Sequence, residues 1–321
     1  MGSGPGTNKG TGISFYTDLP GDVKLAHISI SGVEVSGFEL GISIGGWNGR
    51  SGFREVVIAG VKIHHNRDAG IQTYGKNMFA NADVVIRDSQ AYRNSGNPSA
   101  MRNSGSGIVL GSVDGGTIER SDAFGNGWLH GLESEGPIGI SAYDSRNIVI
   151  QHNRSFRNRT GSGTEGGGFD FDQNVSSSVM QYNQSYQNHG ARYLLAQLTG
   201  LKGNVGNVVQ FNLTTNDGRK SGFAGLQLYG AVSNARFANN VVRMTAARHG
   251  QPVAFRIDCA RDKQELTVSG IRIERNIFLG TRKVDAVQMA RNYASAKVHF
   301  KRNAYIDFSC NSVSSRVLSS H

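Results

Sequence analysis

The segment TEGGGFDFDQN, residues 164–174, brings Glu165, Asp170 and Asp172 close together in the chain. Asp170 and Asp172 alternate with Phe169 and Phe171, the period-two pattern of a half-buried strand, so the two aspartates share one face. Their Cα atoms then lie roughly 6.6 Å apart, at ~3.3 Å per residue. Like charges this close repel. A pair of carboxyls held at unequal protonation is what general acid–base chemistry needs, one giving a proton and the other taking one. Carboxyls ~6.5–9.5 Å apart leave room for an attacking water at an acetal carbon, while ~5–5.5 Å suits a covalent route, so the spacing leans toward the former.

What must position them is a repeat. The segments GISIGGW from Gly41, GIQTYGK from Gly70, GIVLGSV from Gly107, GISAYDS from Gly139 and GFDFDQN from Gly168 align. YLLAQLT from Tyr193, GLQLYGA from Gly225, AFRIDCA from Ala254 and AVQMARN from Ala286 continue the series at intervals of 25 to 37 residues. Their second and fourth positions are apolar except for Thr73, and include Ile42/Ile44, Phe169/Phe171, Leu194/Ala196 and Leu226/Leu228. These side chains are expected to face a shared core. A second strand-like series accompanies each copy, for example EVVIAGVKI at 55–63 and NIVIQHNRSF at 147–156.

Asparagine recurs in two sets: Asn153, Asn183, Asn212, Asn240, Asn276 and Asn303, and Asn66, Asn94, Asn126, Asn158, Asn188 and Asn216. Asparagine tolerates left-handed backbone at turns, and its amide can bond to the copy above and below. Units this short cannot bury their own apolar face and must stack. The expected fold is all-β, a right-handed parallel β-helix solenoid of about ten coils forming a single domain over 1–321. Residues 1–22 and 304–321 are expected to be irregular ends. A propeller needs repeats of about 40–45 residues and is excluded.

In this arrangement the third and fifth positions of the aligned strand face outward. The third reads Ser43, Gln72, Val109, Ser141, Asp170, Leu195, Gln227, Arg256 and Gln288; the fifth reads Gly45, Tyr74, Gly111, Tyr143, Asp172, Gln197, Tyr229, Asp258 and Ala290. Amide, hydroxyl and tyrosine side chains together suit sugars, which offer hydroxyls at their edges and C–H faces to aromatic rings. Asp144 follows Tyr143 one coil before Asp170, about 4.8 Å away along the stack. The candidate catalytic group is therefore Asp170, Asp172 and Asp144. Long loops at 95–107, 127–137 and 159–167 bring Trp128, His130, Glu133, Glu135 and Glu165 beside it, and His189 and Arg192 follow one coil later. Tyr74, Tyr143, Gln197, Tyr229, His130, His189, Arg192, Glu165, Glu135 and Trp128 are the candidate substrate-binding residues. Arg256 and Asp258 read as an ion pair.

Composition agrees. Glycine supplies 43 of 321 residues, far above the usual ~7%, and proline only 5. The formal net charge of +10 favours a polyanionic partner, and the basic residues are scattered without the runs that mark nucleic-acid binding. An acidic polysaccharide is the expected partner, with no nucleic acid and no membrane. Cys259 and Cys310 are too few for a disulfide framework and read as buried thiols. The opening MGSGPGTNKGTG has no apolar core of a signal peptide and reads as the start of a mature or trimmed chain.

The run EGPIGISAYDS, then GGGFDFD, then SVMQYNQSYQN resembles secreted bacterial β-helix proteins of the pectate-lyase-like superfamily, which are associated with polysaccharide degradation. That resemblance implies an extracellular or periplasmic carbohydrate-active enzyme. Polygalacturonase-type members imply hydrolysis by aspartates from adjacent coils with no cofactor, and Asp144, Asp170 and Asp172 match in type and placement. Their adjacent Asp-Asp pair and Gly-His-Gly signature are absent here. Pectate-lyase-type members imply a lyase or C5-epimerase on uronate chains, with Ca²⁺ held by Asp170, Asp172 and Asp144 and with Arg192 or Lys76 as base. A non-catalytic glycan-binding solenoid is the third reading.

Overall fold

The structure, a computed structural model, describes residues 4–308 apart from 100, 199–202, 219, 221, 248–251, 259–267 and 290–297. Cys259, Cys310 and Ala290 lie outside the described residues. Three parallel sheets of ten strands each wind into a solenoid, every strand pairing with its counterparts one coil before and one coil after. The first sheet carries Thr11–Thr17, Leu40–Gly46, Ala69–Gly75, Ser106–Gly111, Ile138–Tyr143, Gly167–Phe171, Tyr193–Gln197, Ala224–Gly230, Val253–Asp258 and Asp285–Met289. Among the described residues no helix is long and apolar enough to cross a membrane.

Two boundary expectations are corrected. Residues 11–17 are the first strand of the first sheet, with Ile13 in register with Ile42 and Phe15 with Ile44, so the solenoid starts well inside the segment expected to be irregular. At the other end Ala304–Ile306 pairs with Ile277–Leu279 as the last strand of the third sheet.

Inside, Ile42, Ile44, Ile71, Ile108, Leu110, Ile140, Phe169, Phe171, Leu226 and Leu228 are fully buried in one continuous core. Thr73, the polar exception, is satisfied there: its hydroxyl donates to the Gly111 carbonyl and accepts from the Gly111 N–H, both at 2.9 Å. The seventh strand departs from the expected register. Phe169 pairs with Tyr193 and Phe171 with Leu195, so Tyr193 and Leu195 point inward, and Leu194 and Ala196 point outward. A shift of one residue exchanges every side chain between faces.

Buried amide ladders close the turns. In the Asn153–Asn183–Asn212–Asn240–Asn276–Asn303 series each member up to Asn276 donates its side-chain amide to the next side-chain oxygen, which also accepts a backbone N–H, and Asn303 donates to the Ile273 carbonyl. The second series runs Asn66–Asn94–Asn126–Asn158–Asn188 as expected. At the next coil the ladder passes to Asp217 instead of Asn216: the Asn188 N–H donates to Asp217 Oδ1 at 2.6 Å. Asn216 turns aside and accepts from Thr245. A carboxylate in a dry ladder carries a charge that needs a partner, and that partner is Arg192.

Candidate active site

Asp170 stands on the outer face of the strand Gly167–Phe171, in register with Ser141 on one side and Leu194 on the other. It faces outward, yet only 4% of it is exposed, with Asp172 and the entry-loop residue Glu165 close enough to act on its charge. Its Oδ1 is buried with no hydrogen-bond partner among the described residues. Burial, then the charges of Asp172 and Glu165, push its carboxyl well above the ordinary range. Asp170 therefore holds a proton.

Asp172 follows the end of the same strand, with its N–H on the Ala142 carbonyl at 2.9 Å, and is partly open. Burial raises it to about 6; the Gln173 N–H opposes that rise, and Glu135 and Asp144 add to it. Glu165 sits in the loop before the strand at φ 65, the left-handed region. Gly136 faces it so closely that a Cβ there would stand 2.5 Å from the Glu165 Cβ. Although Glu165 keeps some solvent opening, burial raises its carboxyl to about 8, with further upward contributions from Asp172 and Glu135 and a downward one from the Gly136 N–H. The least regular of the three opening carboxyls is thus a full member of the group. At neutral pH the group is graded, with Asp172 ionised and Asp170 and Glu165 protonated.

Asp144 borders the group at φ 49 and accepts from the Asn174 side-chain amide at 2.6 Å. The Asn174 backbone N–H donates to Gln197 Oε1 at 2.9 Å. Asn174 was not singled out by sequence reasoning, although it closes the same DFDQN motif. Gln197, expected in the groove, is 1% exposed and points inward because of the register shift; it supports the site from behind through Asn174.

Tyr143 completes the polar floor. Its phenol is pushed to about 12 by burial and by Asp144 and Asp172, and Arg102 draws it the other way, so it remains a donor. Its ring covers Gly111, where any Cβ would meet ring atoms at 2.3–2.5 Å. Tyr74 covers Gly45 in the same manner. Glu135 is exposed, and its Oε2 accepts the Asn103 N–H at 3.1 Å, tying two of the covering loops together. Glu133 is exposed in the same loop, Trp128 is half-buried where that loop begins, and Lys76 is exposed after the strand Ala69–Gly75.

Four further expectations change. His130 is fully buried: its Nε2 meets the Glu135 carbonyl at 2.6 Å and must carry the proton, so Nδ1 accepts from Ser104 at 3.0 Å. It braces the loops and does not face the groove. His189 accepts the Thr160 N–H at 3.4 Å in a turn, and burial, Lys220 and Arg159 lower it to about 4, so it is neutral. Arg192 is 0% exposed and pairs through Nε with Asp217 Oδ2 at 3.1 Å inside the solenoid, which removes it as a surface base. Tyr229 packs against Ala191, Leu194 and Ala196 beside Phe223, an apolar patch rather than a sugar face. Arg256 bonds the Gly222 carbonyl and Gln288, with Asp258 acting on its charge from nearby.

Among the described residues no three His, Cys, Asp or Glu side chains are arranged to hold one metal ion. The candidate site is instead a covered carboxyl cluster beside tyrosines.

The solenoid is similar to the A-module of the Azotobacter vinelandii mannuronan C-5 epimerase, with TM-score 0.63, 13% identity and coverage of 96% of this chain and 78% of that one. It is also similar to the DFA-IIIase of Arthrobacter chlorophenolicus in complex with GF2, with TM-score 0.59, 14% identity, and 93% and 68% coverage. A variant of the periplasmic alginate epimerase AlgG gives TM-score 0.56, 14% identity, and 94% and 73% coverage. Identities this low speak for the fold alone. A comparison with curated protein sequences gives no match. Residues 21–242 match the family described as the right handed beta helix region, and the chain belongs to that family.

Proposed function

We propose that the protein is a carbohydrate-active enzyme that cleaves glycosidic bonds by hydrolysis in the covered cleft of the first sheet. The observation that carries this reading is geometric: Asp170 and Asp172 share the outer face of one strand end, Glu165 reaches them from its entry loop, and the crowding raises the proton affinity of all three. In the reaction Asp172 takes a proton from a water whose oxygen bonds to the anomeric carbon. Glu165 gives its proton to the glycosidic oxygen as the old C–O bond breaks, so one water is consumed and two sugar ends form. Asp170, buried with Oδ1 unpartnered, is coupled to the charge of Asp172 and meets the sugar only if the site opens.

Fold likeness to enzymes named for mannuronan and alginate supports a carbohydrate partner, and the periplasmic member supports a location outside the cytoplasm. Asp172, Asp144 and Glu135 present negative charge at the cleft, which favours an uncharged sugar at the cleaved position despite the net charge of +10. The lyase or C5-epimerase reading draws on that net charge and on the two epimerases; it loses Arg192 and keeps only exposed Lys76 of its two candidate bases.

The test is a polysaccharide panel, with and without chelator, reading reducing ends and ultraviolet absorbance together. Hydrolysis gives reducing ends without absorbance, and Asp172→Asn and Glu165→Gln each lower kcat by about 10²–10⁴. Ultraviolet-absorbing products lost with the chelator support the lyase and contradict the proposal.

A further inference from the structure

The first sheet carries aromatic side chains that the acid–base chemistry does not use: Tyr16, Trp47, Tyr74 and Tyr143 lie on the N-terminal side of the cluster, and Tyr229 lies beyond it. Tyr16 ends the outward row of the first strand, in register with Gly45; Gly45 is in register with Tyr74, and Gly111 with Tyr143. Tyrosine thus occupies every second coil, and the coil between holds glycine, whose missing side chain leaves room for the Tyr74 and Tyr143 rings to recline. Trp47 adds a ring at the second coil, 6.3 Å from Tyr74 and tilted by 46°. Tyr16 and Trp47 are 55% and 56% exposed, unusually open for rings of their size. Tyr16 donates to Asp18 Oδ1 at 3.3 Å, which fixes a polar group beside the ring. The row follows the strand register from Tyr16 through Gly45 and Tyr74 and again from Gly111 to Tyr143.

On the other side of the cluster the surface closes. Leu194, Ala191 and Ala196 are buried against Phe223 and Tyr229, and Gln227 is buried as well. The most exposed rings of the sheet, Tyr16 and Trp47, lie on the N-terminal side, so a ligand longer than the cluster meets open aromatic faces by running toward that end. Neighbouring strands are ~4.8 Å apart, so the step from Asp172 back to Tyr16 is five coils, roughly 24 Å. One strand spacing is comparable with one pyranose residue of an extended chain, and two spacings with the disaccharide after which such a chain presents the same face.

We infer that Tyr16, Trp47, Tyr74 and Tyr143 form a track that holds an extended glycan of alternating faces, as in β-1,4-linked chains, at about one sugar residue per coil from the acidic cluster to the N-terminal end. The track deepens the reading of the cleft as a glycan-cleaving site and makes the substrate a polymer rather than a disaccharide. Rings that touch every second residue discriminate an extended chain from a helical α-1,4-linked one by shape.

The experiment uses the Asp172→Asn protein and oligosaccharide ladders of two to eight units: cello-, xylo- and manno-oligosaccharides, with malto-oligosaccharides as the bent control. Binding is read by calorimetry and by tryptophan fluorescence in a Trp128→Phe background, which leaves Trp47 as the reporter. Affinity rises with length to about six units for at least one β-1,4 ladder, quenches Trp47, and falls about tenfold in Trp47→Ala and Tyr16→Ala for long chains but at most about twofold for the shortest. Thermal melts confirm that both variants fold. Length-independent binding, equal binding of malto-oligosaccharides, or indifference to both variants overturns the track, and the hydrolase reading survives if the wild type still cleaves. Length-dependent quenching without cleavage keeps the track and removes the hydrolase. Silence in both overturns both.

Discussion

Asp170 and Leu194 are register partners on adjacent strands of the first sheet, a protonated carboxyl against an apolar wall. The pairing fits the carboxyl's raised affinity for protons: burial beside an apolar side chain disfavours its charge, and Asp172 and Glu165 repel it further. The cluster is flanked by polar Ser141 on the N-terminal side and by apolar Leu194 on the C-terminal side.

The pH dependence of kcat/KM follows from the two carboxyls that remain partly open. Asp172 must be ionised to take a proton, so activity rises as pH passes about 6. Glu165 must be protonated to give one, so activity falls as pH passes about 8. The expected profile is a bell between those values, its limbs belonging to the coupled group as a whole. In Glu165→Gln the residual activity loses its alkaline limb; an alkaline limb that persists unchanged contradicts the assignment.

Stability should respond to the same groups with a defined sign. Glu165 binds its proton more tightly folded, at about 8, than at its ordinary value of 4.5, so the folded state holds more protons between them. Its contribution is fully present below the lower value and is lost as pH rises through the upper one. Asp170 acts in the same direction from 3.8 upward. Thermal melts of the wild type should fall across this window, and the slope should flatten in Glu165→Gln and Asp170→Asn. Equal slopes in all three proteins contradict the buried cluster.

Arg192 separates a structural role from a chemical one. Replacing it by Met strands Asp217 in the core, where the carboxylate also receives Ser185 and Asn188, and costs about 3–5 kcal/mol in denaturant unfolding. Arg192→Met with Asp217→Asn, which restores an amide to the ladder, should recover part of that loss. Folded Arg192→Met should keep the wild-type pH profile. A large fall in kcat with unchanged stability would mean that the arginine meets substrate.

The fold was readable because period-two alternation recurs, with glycine at six of the nine aligned strand entries, and only stacking satisfies such units. The errors lie where that signal fails. YLLAQ is apolar at four successive positions, Tyr193 to Ala196, so alternation cannot fix its register, and Gln197 was placed outside when it faces in. The first strand, GISFYT, repeats the same pattern, but the glycine-rich segment before it hid it, and Tyr16 and Trp47 went unread with it. Arg192 was misplaced because Asn216, not Asp217, looked like the next rung. Glu165 was legible in type but not in position: its carboxyl reaches the cluster through a loop whose path depends on contacts with Gly136.

The most direct test of the acid–base cluster is a carboxyl ¹³C NMR titration of the wild type, Glu165→Gln and Asp172→Asn. The account predicts one carboxyl titrating near 8 that vanishes in Glu165→Gln, and one near 6 that vanishes in Asp172→Asn. If every carboxyl of the wild type titrates in the ordinary range below about 5, the cluster holds no proton at neutral pH and the proposed chemistry fails.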